Sequence, residues 1–326
     1  MVIYIILTTI IISFFTFYLR KIRRDNSNRI NFENALKFIF KQNRNNISVN
    51  FTSIKGHLEL SDKRTLEIIQ HLLDSQLITQ NNHDFFVSDE GKDFAVNIIR
   101  NHRLWEKYLA EETGIHELNW HSEAEKKEHN LSEIERNHLI KKLGNPLRDP
   151  HGDPIPTESG QFFKLKSIPL SQINEPINLQ ILHIEDEPKE IYSQILKIGL
   201  LPNSKIKIEK VDKKFWFAKT EFGDIQIPKS VGTNISIQIL DEEIEFEKNL
   251  LPLSQLQIGQ KAVIKNISSK LRGLNRRRLL DFGFIPGAEV SLSFENFAND
   301  PRAYEIKKTL VALRNSISEN ILVSIK

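Results

Sequence analysis

The stretch Leu118-Asn119-Trp120-His121-Ser122-Glu123-Ala124-Glu125-Lys126-Lys127-Glu128-His129-Asn130-Leu131 carries its chemistry at helical spacing. Counted from His121, residues Glu125, Glu128 and His129 fall at positions 4, 7 and 8. On one helix, all four would project within an arc of about 100°. Trp120, Ala124 and Leu131 form an apolar flank, so the stripe sits at the edge of a core. Two carboxylates and two imidazoles make an oxygen and nitrogen donor set suited to a divalent transition metal. Upstream, His102 and Glu106 are four apart and add a ligating pair from a neighbouring helix. A helical half that gathers metal donors is therefore the starting point for the fold.

Working outward, the 326-residue chain is long enough for two or three domains. Its 40% hydrophobic and 27% charged content is that of a folded globular protein. The net charge of +3 gives no global basic bias toward nucleic acid. The chain has no cysteine, which excludes disulfides, thiolate zinc sites and thiol nucleophiles. There is no Ser/His/Asp set, phosphate-cradling loop or dinucleotide fingerprint, so an enzyme is not expected.

Met1 to Leu19 holds no charged residue and would span roughly 28 Å as a helix, about one hydrocarbon core. Arg20, Lys21, Arg23 and Arg24 follow at once. Positive charge on that side predicts a membrane anchor over 1–24, with the amino terminus outside and the rest in the cytoplasm. The protein is thereby expected in the cytoplasmic membrane as a single-pass chain.

Residues 31–98 read as helix, helix, helix and hairpin, the order of a winged helix-turn-helix. Ser61 is expected to cap the third helix, whose Ser61, Lys63, Arg64 and Thr65 would face DNA. Residues 99–156 form the metal-binding segment, closed by the loop Gly144 to Pro156, which is too rich in Gly, Asp and Pro for a helix or strand. After it a repeat appears. Pro169-Leu170-Ser171-Gln172-Ile173 returns as Pro252-Leu253-Ser254-Gln255-Leu256, and Gly199-Leu200-Leu201-Pro202 returns as Gly283-Phe284-Ile285-Pro286. Two copies of one small SH3-like β-barrel are expected, over 165–240 and 249–326. The fold class is multidomain α+β.

The helical half resembles the iron-dependent-repressor family (the DtxR/MntR type). The resemblance rests on Asn101-His102-Arg103-Leu104 through Glu106, Trp120 to Glu125, Glu128 to Ser132, and the Gly144–Pro156 loop. Both β copies resemble FeoA-type domains, the second more clearly, through Leu271-Arg272-Gly273-Leu274, Arg276-Arg277-Arg278-Leu279-Leu280 and the Gly283–Gly287 turn. The resemblance implies a homodimer that binds Mn(II) or Fe(II) and then a palindromic DNA operator. It implies two ligand sets: His102, Glu106 and His121, and Glu125, Glu128 and His129. Glu187 and Glu190 are candidates to complete a site from the first β copy. FeoA-type domains also imply a link to ferrous iron transport, so a metal transporter is a candidate partner. The alternative is a membrane-tethered metal-sensing accessory protein that does not touch DNA. Carboxylate donors favour Mn(II) or Fe(II), although affinity alone would rank Zn(II) above both.

Two departures from the family pattern stand out. The first-helix ligand position, Met or Asp in the family, is Asn34 here, and a manganese-type Glu falls at Lys37. A lysine ammonium beside a dication is unfavourable unless it points away. The second departure is charge: residues 31–100 carry eight Lys/Arg against nine Asp/Glu. The basic footprint of a DNA-binding module is missing.

Overall fold

The structure, a computed structural model, describes residues 26–163, 166–247 and 249–326. These fall into two compact units. The expected anchor over 1–24 lies outside the described residues. Among the described residues, no helix is long and apolar enough to cross a membrane. The expectation of a single-pass protein in the cytoplasmic membrane is corrected to that statement alone: the described residues hold no such helix.

The first unit comprises the chain up to His102 together with 125–136 and 156–162. It begins with helix α1 (26–44), followed by α2 (Phe51–Leu58), α3 (Asp62–Asp74), the hairpin β1 (Ile78–Asn81) and β2 (Asp84–Val87), and the first half of α4 (Asp89–Glu112). Apolar residues at helical spacing bring Leu36, Ile39, Ile54, Ile68 and Leu72 into one buried core with Ile78 and Phe85 of the hairpin. Asn50 caps α2 by accepting from Ser53 N in a capping box. Ser61 stands at the start of α3 but makes no side-chain capping bond, which corrects the capping expectation. Its carbonyl instead accepts from Thr65, through both N–H and hydroxyl.

The second unit comprises 103–124, 137–155 and the described residues from 166 to the end, with Phe163. It holds the second half of α4, most of α5 (Trp120–Glu128) and of α6 (Glu133–Lys142), and both β copies. The helix expected over 118–131 is shorter, ending at Glu128, so His129 lies just past it.

The first β copy pairs in the order β3 (Ile168–Pro169), β8 (Ile235–Ile239), β4 (Ile177–Ile184), β5 (Lys205–Val211), β6 (Phe215–Thr220) and β7 (Gly223–Pro228). The second pairs as β9 (Leu251–Pro252), β14 (Ile321–Ile325), β10 (Lys261–Ile267), β11 (Glu289–Glu295), β12 (Arg302–Ile306) and β13 (Thr309–Leu313). The two orders are the same, position for position. Each copy is a six-stranded antiparallel sheet paired in line, and this pairing does not carry the expected closed barrel.

The repeated Pro-Leu-Ser-Gln segment has a structural cause. In each copy it forms a short turn that buries its leucine completely, Leu170 and Leu253. A large aromatic from the sheet then anchors the turn. Trp216 donates its indole N–H to Ile173 O at 2.8 Å, and Tyr304 donates its hydroxyl to Leu253 O at 3.3 Å. The repeated glycines Gly199 and Gly283 both have φ of +92° and stand just after α7 (Lys189–Ile198) and α8 (Gly273–Asp281). A left-handed residue there ends a helix at little steric cost only if it is glycine.

Candidate metal centres

In the first unit a chain of charged side chains runs across α1, α4 and the end of α5. Glu128 is fully buried as a side chain. Its two carboxylate oxygens accept from Lys37 Nζ at 2.8 and 2.9 Å. The His102 ring meets the same carboxylate through Nδ1. His129 turns Nε2 toward Glu128 at 3.4 Å and Nδ1 toward Glu33 at 2.5 Å. Asn101 donates to the Glu128 carbonyl at 3.0 Å, fixing the backbone. Burial alone would raise the Glu128 pKa, but the His102 hydrogen bond and the Lys37 charge outweigh it and hold the carboxyl below its usual range.

Several expected ligands are therefore placed differently. Asn34 is half-buried, and the α1 carboxylate that enters the cluster is Glu33, one residue earlier. Glu125 is exposed and belongs to no converging group of metal donors among the described residues. A position-by-position reading of the stripe missed Glu33; the available signal was that Glu33 and Lys37 are four apart, on one face of α1.

The second unit holds a different cluster. Glu106 of α4, His151 of the Gly/Pro loop and Asp186 after β4 bring one donor atom each within 4.8 Å of one another. His121 of α5 joins them, with Nδ1 at 3.0 Å from Asp186 Oδ2 and 3.5 Å from Glu106 Oε1. His151 Nε2 stands 3.8 Å from both carboxylates. Glu187, expected to reach back, is the outer neighbour at 3.7 Å from His121 Nε2. Asp186 beside it makes the close approach, and Glu190 is not in the converging group. Burial would raise the Asp186 pKa, but the His121 hydrogen bond and the fields of His151 and His121 hold it below its usual value.

Local structure sets this cluster. His151 N and Asp153 N both donate to Asp149 Oδ1 at 2.9 Å, winding the loop around one buried carboxyl. His151 O accepts from Ile184 N at 3.0 Å, so the loop lies along the end of β4. Gly152 has φ of +99°, and a Cβ there would lie 2.0 Å from Leu182 O. Only glycine permits that approach. Asp149 is driven well above the usual carboxylate range, first by burial and then by Asp153 and Glu106. Sequence reasoning misses His151 because its loop reads only as a helix breaker, the His between two Asp in Asp149-Pro150-His151-Gly152-Asp153 being the overlooked signal; Asp186, outside that loop and just past β4, leaves no such signal.

The two clusters differ in their fit to a dication. His151 is 3% exposed, yet neither ring nitrogen has a hydrogen-bond partner. A buried imidazole so placed costs about 1–3 kcal/mol unless something else satisfies it. Donors about 2.1 Å from one cation stand about 3.0 Å apart in an octahedron and about 3.4 Å in a tetrahedron. The histidine-to-carboxylate separations of 3.0 to 3.8 Å lie close to this, and the Glu106, His151 and Asp186 donors, all within 4.8 Å of one another, would draw together around an ion. A void of about 10 Å³ remains beside His121, His151 and Asp186, the scale of one water-sized sphere. This cluster fits a small dication. The first does not: Glu33 and Glu128 face opposite nitrogens of one ring, and Lys37 already occupies Glu128.

The expected DNA contacts are also partly displaced. Thr65 is fully buried and cannot reach DNA. Arg64 pairs with Glu67 at 2.8 Å and bonds Asn28. Ser61 and Lys63 are exposed on α3 beside an exposed Leu66.

Residues 88–157 match the family model described as iron dependent repressor, metal binding and dimerisation domain, and residues 251–325 match the FeoA domain. The iron-dependent repressor IdeR of Mycobacterium leprae (strain TN) is 26% identical over 149 residues, covering 42% of this chain and 64% of the relative. The diphtheria toxin repressor of Corynebacterium glutamicum is 33% identical over 90 residues, covering 28% and 36%. The chain thus spans less than two thirds of the length of these curated relatives. A solved manganese-dependent transcriptional repressor in complex with manganese is 25% identical with a TM-score of 0.54, over 59% of this chain and 91% of that one. All three are named as repressors rather than as enzymes. The chain therefore joins a domain of the iron dependent repressor metal-binding and dimerisation family to a carboxy-terminal FeoA domain.

Proposed function

We propose that this protein is a metal-responsive transcriptional regulator of metal homeostasis, acting as a homodimer and taking Mn(II) or Fe(II). Glu106, His121, His151 and Asp186 would hold the ion. The observation that carries this reading is the buried His151 ring, without a hydrogen bond at either nitrogen and 3.8 Å from two carboxylates. When bound, the ion would supply two positive charges at the meeting point of α4, α5, the 149–155 loop and β4. Glu106 and Asp186 contribute the balancing negative charge, and Trp120 and Tyr192 keep the His151 ring out of water. The named relatives, an iron-dependent and a manganese-dependent repressor, support the choice of metals. The working domain limits are 31–98, 99–156, 165–240 and 249–326.

A gel-shift titration with DNA from upstream of metal-transport genes tests this. Mn(II) is expected to strengthen the wild-type shift and to leave that of His151→Ala unchanged. An identical wild-type shift with and without Mn(II) contradicts the reading.

The α3 surface favours a second reading, a metal sensor that acts on a partner other than DNA. Its accessible face carries Asp62, Glu67 and Asp74 beside Lys63, with Leu66 57% exposed. No shift at low salt, in a sample with Mn(II) bound by calorimetry, supports this second reading over the first.

A further inference from the structure

The Glu128 cluster has the donor types of a metal site and the wiring of a closed ion-pair network. Each Glu128 oxygen has two partners: Oε1 takes Lys37 and His129, and Oε2 takes Lys37 and His102. Glu33 on the far side of His129 has Arg29 within 3.9 Å. Two carboxylates thus stand against two cations, with the histidines between them. Adding a dication would place two further positive charges against an ammonium 2.8 Å from the only fully buried carboxylate of the cluster. Coulomb repulsion at such distances, away from bulk water, is large.

We infer that Lys37 is a resident cation, supplying from within the chain the positive charge that would otherwise require a bound metal between α1, α4 and the end of α5. The first unit is then held in one arrangement whether or not metal is present. Metal responsiveness is confined to one ion per chain, at Glu106, His121, His151 and Asp186. This rests on the metal reading proposed above.

The test uses the full chain and Mn(II) alone. Crystals of wild type and of Lys37→Glu are grown with Mn(II), and anomalous density is read at both clusters. Wild type is expected to show density between Glu106, His151 and Asp186 and none beside Glu128, whereas Lys37→Glu gains density beside Glu128. Lys37→Arg, which keeps the cation, is expected to match wild type. Wild-type density beside Glu128 overturns the inference, whatever the second cluster holds. Wild-type density at neither cluster overturns the metal reading while agreeing with Lys37 as the resident cation. Should Lys37→Glu fail to fold, wild type and Lys37→Arg decide the matter.

Discussion

His151 and Asp186 lie 3.8 Å apart, on a loop and at a strand end that meet through the hydrogen bond from Ile184 N to His151 O. His151 sits in a loop wound around Asp149, and Asp186 lies two residues past the end of β4. The donor set is thus built by docking the Gly/Pro loop on β4, more than by either element alone.

That docking gives the first prediction. Gly152→Ala forces a Cβ to within 2.0 Å of Leu182 O at a φ of +99°. The loop must shift, carrying His151 away from Asp186. Mn(II) affinity by calorimetry is expected to fall on the order of 10–100-fold, as when the support of a metal ligand is lost. Unchanged affinity would show that the loop position does not set the site.

Lys37→Met removes the ammonium while keeping most of the stem. Glu128 is then left buried without its cation, a loss of roughly 3–5 kcal/mol by analogy with broken buried pairs. Denaturant unfolding of the metal-free variant is expected to show it. A change under 1 kcal/mol would mean that Lys37 and Glu128 are not paired in solution.

Acid should destabilise the metal-free protein through Glu128 and Asp186. Both have folded-state pKa values below their usual range, Glu128 through the partners that outweigh its burial and Asp186 through His121 and His151. Their stabilisation is complete above the unfolded carboxylate range, about pH 4, and is lost as pH falls through the lowered folded values. Asp149 runs the other way. Its folded pKa is raised by burial, so its contribution weakens as pH rises from the unfolded value toward the folded one. Asp149→Asn keeps the Oδ1 acceptor and removes the charge, and is expected to raise the metal-free melting temperature at pH 7. A fall in melting temperature there would contradict the sign.

Much of this was legible in the residues. The winged-helix order followed from helical spacing in 31–100, and the β duplication from the Pro-Leu-Ser-Gln and Gly-x-x-Pro repeats. Trp216 and Tyr304 show why those repeats matter, each tying a sheet to its turn. At α1 the resemblance points to Asn34, whereas the carboxylate that enters the cluster is Glu33, one residue earlier, and a family position carries over to this chain only as closely as the two helices align. Glu125 was placed in the site because 100° of helix arc was assumed to point one way, whereas α5 turns it to solvent. His151 and Asp186 could not be found by periodicity. They come together through loop docking, across 35 residues of chain, and such long-range contacts leave no local pattern.

Trp216→Phe tests the first β copy separately. It removes the bond to Ile173 O and leaves space in a fully buried position. A loss of about 1–3 kcal/mol is expected on unfolding, from the bond and the cavity together. No loss would mean that the turn is held by Leu170 packing alone.

Calorimetric titration of Mn(II) into wild type, His151→Ala and Asp186→Asn addresses the metal centre itself. Wild type is expected to bind one ion per chain, with both variants at least ~100-fold weaker and folded by circular dichroism. Equal affinity in all three proteins would contradict the assignment of the metal to Glu106, His121, His151 and Asp186.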